Sequence, residues 1–187
     1  MIESYCKEIL RFRKALNLTA AEDVHTLMQR FVNPSLAMNV WIPKKGRLLD
    51  VGSGMGIPGV PLLLEEPGLH GLLVERRKKR AEFLRHIVRT FGLNAEVFDD
   101  DIRKLAPLEA DVLVARAVAE QAWLLDACCR HVKPSGTAIL IVPRQSSIAR
   151  VRGWSHIGDC QIGAGEALLC IRRYQREPAN REVSRET

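Results

Sequence analysis

Several things are missing from this 187-residue chain, and each absence excludes something. No apolar run is long enough to span a bilayer, so no transmembrane helix and no membrane partner are expected. The opening Met1-Ile-Glu-Ser-Tyr-Cys-Lys-Glu is too polar for a secretory leader, and the expected location is the cytoplasm. The five cysteines, Cys6, Cys128, Cys129, Cys160 and Cys170, contain no Cys-x-x-Cys pair and are too sparse for a disulfide scaffold, so no metal is expected. There is no internal repeat and no recognisable catalytic triad. At this length the chain fits one domain, and the expected state is a monomer.

What is present is organised around Leu48 to Pro61, Leu-Leu-Asp-Val-Gly-Ser-Gly-Met-Gly-Ile-Pro-Gly-Val-Pro. The spacing predicts a short buried strand, a turn at Gly52, Gly54 and Gly56, and a helix opening near Pro58. Glycines here allow positive φ and let a flat ligand approach the backbone. Gly54-Met55-Gly56-Ile57-Pro58-Gly59 also fits the dinucleotide fingerprint, which leaves NAD as one reading. Asp50, two residues before the first glycine, would repel a diphosphate and suit a cationic amine or sulfonium, which favours S-adenosylmethionine. On this reading Asp50, Gly52, Ser53, Gly54 and Gly56 form the cofactor turn. Glu75 closes the next strand nineteen residues after Gly56, where a ribose-binding acid is expected, although an acid favoured by a helix N-terminus reads the same way.

The net charge of +6 and the pI near 9.3 point to a polyanionic partner. The charge is concentrated in Arg76-Arg77-Lys78-Lys79-Arg80, directly after Glu75. These residues open a helix whose apolar face is Ala81, Leu84, Val88 and Phe91, so the basic run is either a nucleic-acid surface or an ordinary solvated face.

The N-terminal 1–46 reads as a helical extension, with helices over 2–16 and from Asp23 to Val32. From residue 47 strands and helices alternate: strands 47–51, 70–75, 95–98, 111–115 and 137–142, and helices 58–66, 76–92 and 120–131, with a turn at Lys133-Pro134-Ser135-Gly136. Such repetition demands an α/β, Rossmann-like, mostly parallel sheet covered by helices on both faces, with the ligand at the carboxyl edge. Residues 154–162 and 167–174 read as an edge hairpin, and 175–187 as a disordered polar tail.

The run Asp50 to Leu62 resembles the signature of the glucose-inhibited division protein B (GidB) family, the RsmG methyltransferases of small-subunit ribosomal RNA. Lys79-Arg80 before Phe83-Leu84-Arg85, Ala115-Arg116-Ala117, Val132-Lys133-Pro134 and Asn17-Leu18-Thr19 resemble further family segments in the same order. The resemblance, over about 12–174, implies a class I methyltransferase with a seven-stranded sheet, moving methyl from S-adenosylmethionine to N7 of a guanine in small-subunit (16S) ribosomal RNA. It also implies that Gly52 and Ile57 line the cofactor, and that Asp101, Ile102 and Arg103 form the adenine-side segment. Arg116 would reach the pocket, as a catalytic candidate gripping base or phosphate or in a structural ion pair. Arg144 joins the basic run as an RNA contact. The chain departs from the family's usual pattern at Phe31 and Pro34-Ser35, where a His and an Asp-Ser are usual, and at Pro143-Arg144, where Lys-Gly is usual. A methyltransferase with another substrate and a non-catalytic RNA-binding relative are the alternatives.

Overall fold

The computed structural model describes residues 1–116, 120–163 and 168–178. Its frame is one seven-stranded sheet: β1 (Gly46–Val51), β2 (Leu69–Val74), β3 (Ala95–Phe98), β4 (Ala110–Arg116), β5 (Val132–Pro143), β6 (Trp154–Ile162) and β7 (Leu169–Arg176). The spatial order is β3-β2-β1-β4-β5-β7-β6. The first five strands pair in parallel, and β7 runs antiparallel to both β5 and β6. Strand order reverses between β1 and β4, and a crevice opens at the carboxyl ends beside that switch point.

The central strands are apolar on both sides because both sides are covered. Leu48, Leu73, Val112, Val114, Ile139 and Ile141 face one core, shared with α1 (Ile2–Leu16), α4 (Gly59–Glu65) and α5 (Lys78–Phe91). Their neighbours Leu49, Leu72, Leu113, Leu140 and Val142 face the other, covered chiefly by α6 (Gln121–Cys128). No helix among the described residues is long and apolar enough to cross a membrane.

The helix expected from Asp23 to Val32 is broken. Asp23 caps α2 (Val24–Leu27) by accepting from Thr26 N–H at 2.7 Å, but Met28–Val32 then widens into a π turn before α3 (Asn33–Leu36). Pro34 is the cause, since it has no N–H to give back to the preceding turn and its ring crowds the carbonyl four residues earlier. The expected turn at Lys133 to Gly136 is a bulge inside β5. Ala110 faces Val132 and Val112 already faces Thr137, so the residues between bow out, with Ser135 at φ 65°. β7 continues to Arg176, and Glu177 N–H is bonded to Gly153 O, so ordered chain extends past the expected tail boundary at 175. The rest of that tail, from 179, and Ala117 and Ala167, lie outside the described residues.

Candidate active site

The glycine turn is built from below. Asp50, at the end of β1, is fully buried (0% exposed), and its Oδ2 accepts from Gly59 N–H at 3.0 Å at the start of α4. Burial pushes its carboxyl up to about 7, against the opposing pull of the Gly59 N–H and the Ser53 hydroxyl. Ser53 is buried and donates to the Asp50 carbonyl at 2.9 Å. Gly52, Gly54 and Gly56 have φ of 73°, 57° and 96°, the left-handed region that favours glycine. From behind, Tyr5 of α1 donates its buried hydroxyl to the Met55 carbonyl at 2.8 Å, so the N-terminal helices brace the turn.

Above the turn lies a cavity of about 670 Å³, lined by Gly52, Glu75, Asp101, Ile102, Arg103 and Trp123 among others. Glu75 follows β2 and is only 6% exposed. Gly54 N–H donates to its Oε2 at 3.0 Å and Arg77 N–H to its Oε1 at 2.8 Å, which fixes the carboxylate at the junction of the turn and α5. Glu75 therefore serves the opening of α5 and also lines the cavity, the position that the expected ribose contact requires. Across the cavity, Asp101 caps the 3-10 turn Ile102–Lys104 and accepts from the Arg103 backbone at 3.0 Å and from its guanidinium at 2.9 and 2.6 Å. Those bonds hold its carboxyl well below the usual carboxylate range. The Arg103 guanidinium lies over Trp123, 5.6 Å from the ring centroid.

Gly52, Glu75, Asp101, Ile102 and Arg103 thus gather as expected. Asp50, Ser53, Gly54, Gly56 and Ile57, also expected at the cofactor, lie in the turn beneath the cavity and are not among the residues lining it. The reason is the strand's pleat: the residue that accepts from α4's first N–H cannot also face outward. Arg116 also lies off this cavity. Its guanidinium stacks on Phe31, 4.6 Å from the ring centroid, with buried Nη1 making no hydrogen bond among the described residues. Burial, and then Arg30, push it down to about 10. The structural ion pair considered for it is absent among the described residues, and Phe31 takes its place as partner.

In the basic run, Arg76, Arg77, Lys78 and Lys79 are exposed, and none of these side chains makes an ion pair among the described residues. Arg80 differs. It lines the cavity and donates to the Asn17 carbonyl at the end of α1, so it ties two elements together in place of standing free for RNA. Sequence reasoning missed Trp123 of α6 and Glu120 just before it, which complete the cavity wall. Trp123 had a signal, being one of three tryptophans and standing in the first turn of the helix after β4.

The model of the GidB family, rRNA small subunit methyltransferase G, matches residues 1–149. A ribosomal RNA small subunit methyltransferase G of Xanthomonas oryzae pv. oryzae is 34% identical over 178 residues, covering 90% of this chain and 84% of that one. Its namesake from Halorhodospira halophila is 35% identical over 141 residues, covering 75% and 67%. Among solved structures, a methyltransferase from Pyrococcus furiosus superposes with a TM-score of 0.62 at 13% identity, covering 78% of this chain and 82% of that one, which speaks for the fold. With the family's model spanning the turn, the cavity and the N-terminal brace alike, the chain belongs to the GidB family of rRNA small subunit methyltransferases G.

Proposed function

We propose that this protein transfers a methyl group from S-adenosylmethionine to N7 of a guanine in small-subunit ribosomal RNA. The observation that carries the reading is the Glu75 carboxylate, held by two backbone N–H groups at the wall of a cavity whose other side is the exposed Gly52. A fixed carboxylate beside a glycine backbone suits the two hydroxyls of a ribose. Trp123 and Ile102 offer apolar surface to an adenine, and Arg103 is held in place by Asp101. These residues fit an adenosyl ligand.

When bound, S-adenosylmethionine supplies an electrophilic methyl on a sulfonium. Guanine N7 has an in-plane lone pair and no proton, so it can attack without a base. No histidine stands among the residues lining the cavity, and none is needed. The chain's own work is to hold the reactants in line and keep water out.

Calorimetric titration with S-adenosylmethionine, S-adenosylhomocysteine and NAD tests this reading, with Gly52→Val as the control. Valine at φ 73° is strained and its side chain enters the cavity, so adenosyl-ligand affinity should fall at least about 100-fold, or ~2.7 kcal/mol. Circular dichroism should still report a folded variant. Tighter binding of NAD than of the adenosyl ligands would overturn the reading. Methyl label offered with small subunits and with naked RNA then locates the product.

The exposed basic residues at the start of α5 are suited to RNA phosphates. Reversing Arg77, Lys78 and Lys79 to glutamate should flatten the dependence of log affinity for RNA on log salt by about two, leaving cofactor affinity unchanged. A filter-binding series across salt concentrations checks it, and an unaltered slope would remove α5 from the interface.

A further inference from the structure

A cavity of about 430 Å³ opens at the amino ends of β4 and β5, on the opposite edge of the sheet from the cofactor cavity. Two features build it. One is the 3-10 turn Ala37–Trp41 with the chain on to Pro43, and the other is the bulge in β5 around Pro134. The turn contributes Trp41 and also Val40, which at 78% is the most exposed of the large apolar side chains among the described residues.

The charges around this cavity are mostly positive. Lys133 pairs with Asp111 at 2.6 Å, and the other oxygen of that carboxylate accepts from Arg47 N–H at 2.7 Å, so both oxygens of Asp111 are engaged. Lys44, next to Pro43, pairs with Glu66. That leaves Lys45, Arg47 and Arg173 in no ion pair among the described residues. Glu109, just before β4, is in no ion pair there either, but it does not line the cavity. Arg47 and Arg173 each keep a buried Nε with no hydrogen bond among the described residues, although Arg173 lies over Trp41, 4.8 Å from a ring centroid. Three cations with spare donors beside an exposed apolar surface suit a ligand that is both flat and rich in anionic acceptors.

We propose that this amino-edge surface is a second contact for the RNA, gripping an unpaired segment away from the nucleotide that is methylated. The inference rests on the reading above, that the substrate is ribosomal RNA. An unstacked base needs apolar surface for its face, which Val40, Pro43 and Pro134 supply, and the phosphates beside it need cations, which Lys45, Arg47 and Arg173 supply. An apolar peptide would have no use for the three cations. The six residues of β1 set the two edges of the sheet roughly 20 Å apart. The RNA therefore touches the protein at two places, and the second adds affinity without entering the chemistry.

Val40→Asp and Lys45→Glu together put negative charge on this surface, and both side chains are exposed, so the core is left alone. Lys45→Arg is the conservative control. Binding of extracted small-subunit RNA and of assembled small subunits is measured by filter retention across salt concentrations, with methyl transfer measured alongside. In the double variant, affinity for both forms should fall at least about 10-fold and the salt slope should flatten by about one. KM should rise while kcat, S-adenosylhomocysteine affinity and the thermal midpoint stay unchanged, and the Lys45→Arg protein should behave as wild type. Unchanged affinity and slope overturn the second contact. Weaker binding of assembled subunits alone also overturns it, assigning the surface to a protein of the subunit. Either failure leaves the reading above standing so long as the wild-type protein methylates RNA. A wild-type protein that neither binds nor methylates RNA would instead fell that reading, and the second contact with it.

Discussion

Gly59→Ala should cost about 3–5 kcal/mol of folding stability, combining overpacking with a lost hydrogen bond to a buried carboxyl. A β-carbon there would stand 2.6 Å from Asp50 Oδ2, 3.0 Å from Asp50 Cβ and 3.1 Å from Leu73 Cδ2. Asp50 and Leu73 are both 0% exposed and have nowhere to go. The alternative is for α4 to lift off the sheet, which breaks the Gly59 N–H bond to Asp50 and takes away the carboxyl's backbone donor, its Oδ1 having no partner among the described residues. Urea unfolding should show a lower midpoint with an unchanged slope. Wild-type stability would mean that the contact between α4 and β1 is looser than these distances require.

Arg172→Met, at a buried site in β7, should cost about 3 kcal/mol, because methionine keeps much of the volume but none of the bonds. Although burial opposes it, the guanidinium together with His156 holds the Asp159 carboxyl down to about 2, so the remaining carboxylate would lose its main partner. The carbonyls of Ser146 and Ser147 would be released at the same time. Thermal melting should show the loss, and limited proteolysis should show new cleavage after Arg144 or Arg150, the basic residues flanking the released carbonyls. If the melting temperature stays put, the loop after β5 is held by Tyr174 and Gln121 alone.

The parts of this fold that are local in sequence were legible, and those set by distant packing were not. The glycine turn was readable because three positive-φ positions in five residues leave few side-chain choices. The strand and helix alternation was readable because both faces of the sheet are covered, which makes the central strands uniformly apolar. Asp50 was placed correctly along the chain but not in orientation. Whether a strand-end acid looks out at a ligand or in at a helix depends on Gly59, nine residues on, and on how α4 packs. Arg116 is similar: nothing in its neighbourhood announces that its partner is Phe31, 85 positions away in a π turn that one proline imposes. Phe31, noted as a departure from the family's usual histidine, has a physical role as the surface under that guanidinium. The cavity at the amino edge was invisible because its walls, a 3-10 turn before β1 and a bulge in β5, lie far apart along the chain.

The order of strands in space has a consequence for how the protein is made. β7 sits between β5 and β6, yet it leaves the ribosome after both. Until it arrives, β5 presents a long apolar margin with nothing to bond, and β6 has no neighbour in the sheet at all. The amino-terminal five strands can assemble as they emerge, but their outer margin remains open to any other extended chain. Synthesis therefore passes through an interval in which the growing polypeptide is most prone to stick to its own copies, and the closing act of assembly is the insertion of a single late strand.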